Sequence, residues 1–573
     1  MGKIIGSRAS AGHTVPGAPT IGTATAGDAQ ATITFTAPTN TGKLPITSYT
    51  VTSSPGSITA SGASSPITVT GLTNSTAYTF TVTATNSTGT SASSNSSNSA
   101  TPVAPITPFI TVNYDQSSGP NGQGVRSVDS LSTKEMICYS SVGTSTSAGG
   151  SNRNWQSIID KFNVGTPSLV ATTGIRNQTI NTAGYDTYAR GLAVDSNDDI
   201  YTLAAYYNSG GISRPLLVKN NSSLSQQWVF YGDNSGGNSA FPQALRLDKS
   251  GNLRFCGYRQ AGTTMGFVAR MNKADGTITG SVGFYENSAQ QGTYCNDVAY
   301  DNSGNYYAVG WYYNSSGYQV AYSQKFNSSN SFSGVINIPN PNGTSRNTSF
   351  SCVRVDSSGN QYYGGFMENS SQGRQALLYK SDSSGNRVWG KRIVSSLAAG
   401  SQYTFISDMW LDETNSALYV FGSDFRSGSQ YIGFVAKFDL NGNNQWIRNI
   451  YSNGDAYSTA VMTTIAGGGG VGGYPIFQIN QSTPANETSW YFTGAGVLPP
   501  DGSLTGTKSV TTKTSSPTGV ISYVYAAGSY TFPNETTWDN VAGMTAVTSV
   551  ITGGGPGTIT TSPIGVTNAV ATI

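Results

Sequence analysis

The sequence predicts an all-β protein, and three observations carry that expectation. Only 10% of the 573 residues are charged, against about 25% in an ordinary globular chain. Gly, Ser, Thr, Asn and Tyr take up the difference, a mixture that favours turns and strands over helices. Aromatic residues nevertheless make up 11% of the chain and fall in alternating runs such as residues 522–532 (SYVYAAGSYTF), which separates the composition from that of a disordered chain. Finally, a unit of just over 50 residues recurs, each copy holding period-two segments punctuated by Asp, Ser, Gly and Asn. At this length two or three domains are expected.

Residues 1–14 form a short polar leader carrying Lys3, Arg8 and the single histidine, His13. It reads either as a flexible arm or as a docking peptide. It lacks the apolar core of a secretory signal, and no stretch is apolar enough to predict a membrane span. Residues 15–103 read as short strands. Pro16 and Pro19 open the segment, residues 31–38 (ATITFTAP) put Ile33 and Phe35 on one face, residues 46–56 alternate again around Tyr49, and residues 65–91 supply two strands around Leu72 and Tyr78. These features resemble a fibronectin type III domain. The resemblance implies a two-sheet sandwich in which Leu72 and Tyr78 belong to a tyrosine corner. Phe35 stands where that family usually has tryptophan. The Ser/Asn run and prolines of 94–108 predict a semi-stiff linker, with residues 104–129 joining the two parts.

The repeat dominates from about residue 130. One half centres on an Asp-led turn, at Asp195, Asp248, Asp301, Asp356 and Asp412, spaced 53 to 56 residues apart. The other half centres on a basic residue, at Lys161, Lys219, Arg270, Lys325, Lys380 and Lys437, and in three copies a tryptophan follows nine positions on (Trp228, Trp389, Trp446). Two hairpins per unit give four strands, the arithmetic of a propeller blade. Degenerate copies at 490–506 and 519–529 bring the expected number of blades to seven, with six or eight as the neighbouring counts, so residues 130–573 are expected to form a β-propeller with C-terminal closing strands. Residues 134–142 supply either a partner strand near its start or part of the closure. The units resemble the bacterial β-propeller repeat family, a likeness that implies architecture and no activity.

Little of this points to reactive chemistry. One histidine in the leader leaves no Ser-His-Asp triad and no His-based metal site in the repeats. The glycine stretch of 466–475 lacks the Lys that completes a phosphate loop, and it reads as a loose loop. The Asp turns can be read as calcium loops or, more simply, as Asp side chains bonding their own backbone. The repeated Lys and Arg read as strand-exit solvated charges, and the tryptophans as blade-to-blade packing. Two segments (381–389 and 439–446) faintly resemble the Asp box of sialidases, with one residue too many before Trp. Four scattered cysteines (Cys138, Cys256, Cys295, Cys352) read as buried thiols, with a Cys295–Cys352 pair left open. With 30 basic and 28 acidic residues and no basic stripe, no nucleic-acid partner is expected.

Tyrosine is the exception. There are 33, and Tyr206, Tyr207, Trp311, Tyr312, Tyr313, Tyr362 and Tyr363 sit beside Ser, Asn and Gly in clusters suited to recognition loops. Together these readings predict a non-enzymatic structural or adhesion protein without cofactors or metals. It resembles tailed-phage virion components, a likeness that implies a tail fibre, baseplate or capsid-attached protein. Such a protein is made in the host cytoplasm, exposed on the particle surface and assembled as a multimer. The implied partners are other virion proteins and a host-surface glycan or protein. A bacterial cell-surface adhesin and a glycan-cleaving propeller enzyme are the alternatives.

Overall fold

The computed structural model describes residues 12–74 and 76–102 and, between 110 and 531, the strands with most of their turns; residues 1–11, 103–109, 532–573 and several loops between strands lie outside the described residues. Among the described residues all regular secondary structure is β. The chain divides into two compact units, Met1–Ile106 and Thr107–Ile573.

In the first unit β1 (Thr20–Gly27), β2 (Gln30–Thr36) and β5 (Ile67–Thr70) form one sheet. The other runs β4 (Thr59–Gly62), β3 (Ile46–Ser54), β6 (Thr79–Asn86), β7 (Gly89–Thr90). Alternation sets the faces: Phe80, Val82 and Ala84 of β6 are fully buried while the threonines between them stay half-exposed. Phe35 packs on Tyr49 with ring centroids 4.8 Å apart, and so fills the inter-sheet space. The Tyr78 hydroxyl accepts the Thr73 N–H at 3.0 Å, which is the expected corner. The Ser/Asn run is not a linker at its start. The amides of Ser91, Ser94 and Ser97 bond the carbonyls of Ala84, Val82 and Phe80. Their hydroxyls accept the amides of the same three residues. Serine every third position thus completes the edge of β6.

Among the described residues, the second unit holds seven four-stranded antiparallel blades. Blade 1 is β9 (Ser127–Ser130), β10 (Glu135–Ser145), β11 (Arg153–Asn163) and β12 (Ser168–Ile175). Blade 2 is β13 (Thr187–Val194), β14 (Ile200–Tyr207), β15 (Ser213–Asn220) and β16 (Gln226–Tyr231). Blade 3 is β17 (Ser239–Leu247), β18 (Leu253–Ala261), β19 (Thr263–Met271) and β20 (Ile278–Phe284). Blade 4 is β21 (Thr293–Tyr300), β22 (Tyr306–Tyr313), β23 (Gln319–Phe326) and β24 (Phe332–Ile338). Blade 5 is β25 (Thr348–Val355), β26 (Gln361–Asn369), β27 (Gly373–Ser381) and β28 (Arg387–Ser395). Blade 6 is β29 (Gln402–Asp412), β30 (Ala417–Arg426), β31 (Gln430–Asp439) and β32 (Asn444–Asn453).

Blade 7 takes β33 (Met462–Val471), β34 (Tyr474–Ser482) and β35 (Tyr491–Val497) from late in the chain. Its outer strand is β8 (Ile110–Asp115), which pairs with β35 from Gly496↔Ile110 to Tyr491↔Asp115. The first strands touch in cyclic order, β9, β13, β17, β21, β25, β29, β33 and back to β9. They therefore form the inner ring. Closure differs from the sequence expectation in three ways. Strands β8 and β9 lie inside the stretch expected to be linker. The C-terminal strands β36 (Gly506–Thr511), β37 (Val520–Ala527) and β38 (Tyr530–Thr531) do not close the ring; β37 pairs with β36 and with the outer strand β32, and β38 with the outer strand β28. The glycine stretch is not a loose loop but the end of inner strand β33 and its hairpin to β34. Residues 134–142 fall largely on β10, the second strand of blade 1.

Neighbouring blades share their cores. One cluster joins Leu203 and Phe230 of blade 2 to Leu245 and Phe255 of blade 3, and the next joins Cys256 and Phe284 to Val298 and Tyr306 of blade 4. Middle strands are therefore buried on both faces, as in β14 and β23, and read as near-continuous apolar runs.

Candidate functional site

The two ends of the propeller are chemically different. One end carries the tight turns between first and second and between third and fourth strands. There the Asp carboxylates are used by the turns themselves. Asp356 Oδ1 accepts the amides of Ser358 and Asn360 at 3.0 and 2.9 Å, and Oδ2 accepts Asn360 Nδ2 at 2.8 Å and the Tyr362 hydroxyl at 3.1 Å. Asp301 repeats the arrangement. Gly304 and Gly359 follow at φ +78° and +82°, where a side chain would be strained, which explains Asp-x-Ser-Gly-Asn.

The repeated lysines are not simply solvated. Lys380 Nζ lies 4.7 Å from the centre of the Tyr362 ring in its own blade and donates to Leu440 O in the next at 3.0 Å. Lys161, Lys325 and Lys437 also reach a carbonyl one blade on. Trp228, Trp389 and Trp446 donate their indole N–H to Lys273, Leu440 and Pro500 carbonyls in the following blade. Lys380 with Trp389, and Lys437 with Trp446, thus latch onto the same carbonyl of the next blade, whereas Lys219 pairs with Asp199 of its own blade at 2.8 Å. This corrects the strand-exit reading of the lysines and bears out the packing reading of the tryptophans.

Near the axis, four blades contribute a buried ionic quartet. Arg246 of β17 bonds Asp297 of β21 at 3.0 Å, Arg354 of β25 bonds Asp297 at 3.0 Å and also bonds Asp408 of β29, and Arg246 lies 3.9 Å from Asp408. Burial raises the Asp408 carboxyl above its usual range, with Arg354 and Arg246 opposing it. Three free, buried cysteines lie in the blades that carry it: Cys256, Cys295 and Cys352. Cys256 and Cys295 share one buried cluster. Cys352 is a free thiol too, so the pairing left open by the sequence is not made.

The opposite end, where first strands begin and second strands finish, is aromatic. Each inner strand of blades 2 to 6 has a β-bulge at one polar residue: Arg190, Gln243, Asn296, Ser351 and Ser407. Each of these is half-buried between two buried neighbours. Two residues earlier, Tyr188, Phe241 and Tyr294 begin a belt. Successive ring centroids run Tyr188–Tyr207 5.3 Å, Tyr207–Phe241 6.4 Å, Phe241–Tyr258 4.8 Å, Tyr258–Tyr294 4.7 Å, Tyr294–Trp311 3.9 Å and Trp311–Tyr313 5.0 Å. All seven rings are half-buried. Beyond it, Arg374 stacks 4.3 Å from the Phe366 ring centre and bonds Glu368 at 3.2 Å, beside Tyr403, which is 39% exposed.

Of the residues singled out from sequence, Tyr207, Trp311 and Tyr313 belong to this belt. Tyr206 and Tyr312 lie beside it but pack inward, on Tyr231 and Tyr322. Tyr362 and Tyr363 are corrections. Both are fully buried, because they begin β26 next to the Asp turn, with Tyr362 bonded to Asp356 and Tyr363 stacked on Phe350 at 4.8 Å. Sequence reasoning missed Tyr188, Phe241, Tyr258 and Tyr294, which are isolated in the chain. The hairpin register that places Phe241 opposite Tyr258 and Tyr294 opposite Trp311 was the available signal.

Comparison with known proteins bears on fold. The fibronectin type III family matches residues 17–100, and that segment is such a domain. No curated protein matches the chain. Among solved structures, the chain is similar to quinohemoprotein alcohol dehydrogenase from Comamonas testosteroni (9% identity, 69% of this chain and 77% of that one, TM-score 0.40). It is also similar to phage phi92 endosialidase (9%, 70% and 70%, 0.35) and to polysaccharide lyase Uly1 (10%, 68% and 92%, 0.35). These are enzymes, where the sequence reading expected a non-enzymatic chain. At these identities the likeness assigns no activity to this chain.

Proposed function

We propose that the propeller is a glycan-acting domain that takes a carbohydrate chain across its aromatic end. One observation carries the reading: the belt from Tyr188 to Tyr313 presents half-buried ring faces from three consecutive blades. Aromatic faces suit the apolar faces of sugar rings, and their hydroxyls supply adaptable hydrogen bonds at low entropic cost. The connections from one blade to the next at this end, such as Phe284 to Thr293 and Ile338 to Thr348, are longer than the Asp turns opposite, as befits loops that carry recognition. The test is titration of the purified chain with soluble polysaccharides, with binding and newly released chain ends measured together. Trp311→Ala is expected to weaken binding about tenfold, the loss of about 1–1.5 kcal/mol of ring contact, with unchanged far-ultraviolet circular dichroism. Failure of every polysaccharide to bind would exclude the reading.

A second proposal concerns where the domain is displayed. Cys256, Cys295 and Cys352 are free thiols, two of them in one buried cluster, which suits folding in a reducing cytoplasm. Exposure on a virion surface after lysis, as one of several copies whose weak sites act together, fits that history. Mass spectrometry of purified particles tests it, and absence of the chain from them would end it.

A further inference from the structure

The bulge residues that rim the inner ring differ in charge. Gln243, Asn296, Ser351 and Ser407 are neutral, and Arg190 is the cation. The other inner-strand arginines of the ring are compensated: Arg246 and Arg354 both bond Asp297. Arg190 has a different setting. Among the described residues, no carboxylate acts on its guanidinium; the groups that do are the phenols of Tyr188, Tyr207 and Tyr258. Its Nε is buried without a hydrogen-bond partner, as is that of Arg246, so the difference lies in the missing carboxylate. Burial pulls its pKa below the ordinary guanidinium value, yet arginine does not give up its proton in a protein. A charge removed from water without a counter-charge is destabilising, and a fold keeps such a group where a ligand supplies the missing anion. The three phenols around it are members of the aromatic belt, so the cation sits where a sugar ring would stack.

We infer that Arg190 is the anion-binding group of this site, and that the preferred ligand is an acidic glycan whose carboxylate or sulfate meets the guanidinium fork. The inference rests on the glycan reading above and adds the substrate class. A planar fork of N–H donors matches either oxyanion in a two-point contact.

The full chain is titrated with polygalacturonate, dextran sulfate and neutral dextran at matched ionic strength. Wild-type protein is expected to bind at least one of the two acidic polymers about tenfold more tightly than dextran, and Arg190→Gln to remove that preference by weakening acidic binding far more than dextran binding. Preference for polygalacturonate assigns a carboxylate, and preference for dextran sulfate a sulfate. Arg190→Lys keeps the charge but loses the fork, and is expected to fall between the two. Because the substitution removes an uncompensated buried cation, Arg190→Gln is also expected to melt no lower than wild type. Equal wild-type affinity for charged and neutral polymers, acidic binding unchanged in Arg190→Gln, or unfolding of that variant would overturn the inference and leave the glycan reading standing. Binding of none of the three polymers would overturn both.

Discussion

At the scale of single residues, chemistry repeated from blade to blade is structural, and chemistry that breaks the repeat marks the site. Asp356 and its equivalents hold turns, whereas Arg190 and Trp311 interrupt a pattern. Asp297 is the hub of the ionic quartet, with a side chain only 2% exposed. Asp297→Asn leaves Arg246 and Arg354 short of negative charge, and a loss of about 3–5 kcal/mol of unfolding free energy is expected in denaturant titration. Asp356→Ala removes four hydrogen bonds to one carboxylate and is expected to cost about 2–3 kcal/mol. The sequence showed the Asp turns plainly, because five copies align. It did not show the belt, because Tyr258 and Tyr294 meet only after two hairpins from different blades pack together.

At the scale of elements, turns and inner strands respond to pH with opposite sign. Asn386 and the turn amides hold the Asp382 carboxyl below its usual range. At Asp195, burial opposes the shift, but Lys273 and the turn amides outweigh it. Each contributes stability that is present above the ordinary carboxylate pKa and lost as pH falls through the lowered value. Asp408 is raised by burial, so its contribution is present at low pH and lost as pH rises through the raised value. Unfolding midpoints measured from about pH 6 down to pH 2 are therefore expected to fall on the acid side, with a shallower fall in Asp195→Asn. Strand identity was legible from period-two patterning. Strand role was less so: the Ser91, Ser94, Ser97 ladder has a period of three, and the glycine-rich β33 has no side chains to alternate.

For the whole molecule, the degenerate copy at 519–529 is β37, outside the seven blades, but six units were countable from the spacing of Asp and Lys and the seventh from the copy at 490–506. The closure was not, since β8 precedes the repeat and lies about 375 residues before its partner β35. Nothing local marks such a pairing, whose formation depends on bringing distant segments together. Val112→Pro removes an amide donor and strains the outer strand of blade 7. It is expected to lower the melting temperature of the second unit and leave the fibronectin type III unit, a separate compact body, unchanged in differential scanning calorimetry. A single transition shifted as one would argue against independent units.

The central claim is that ligand chemistry belongs to the aromatic end of the ring. Hydrogen exchange of the full chain, with and without a bound polysaccharide, tests it most directly. The account requires new protection at the strand ends around Tyr188, Tyr207, Tyr258 and Trp311, and none at the Asp turns. Protection confined to the turns at Asp301 and Asp356, or to residues 17–100, would contradict it.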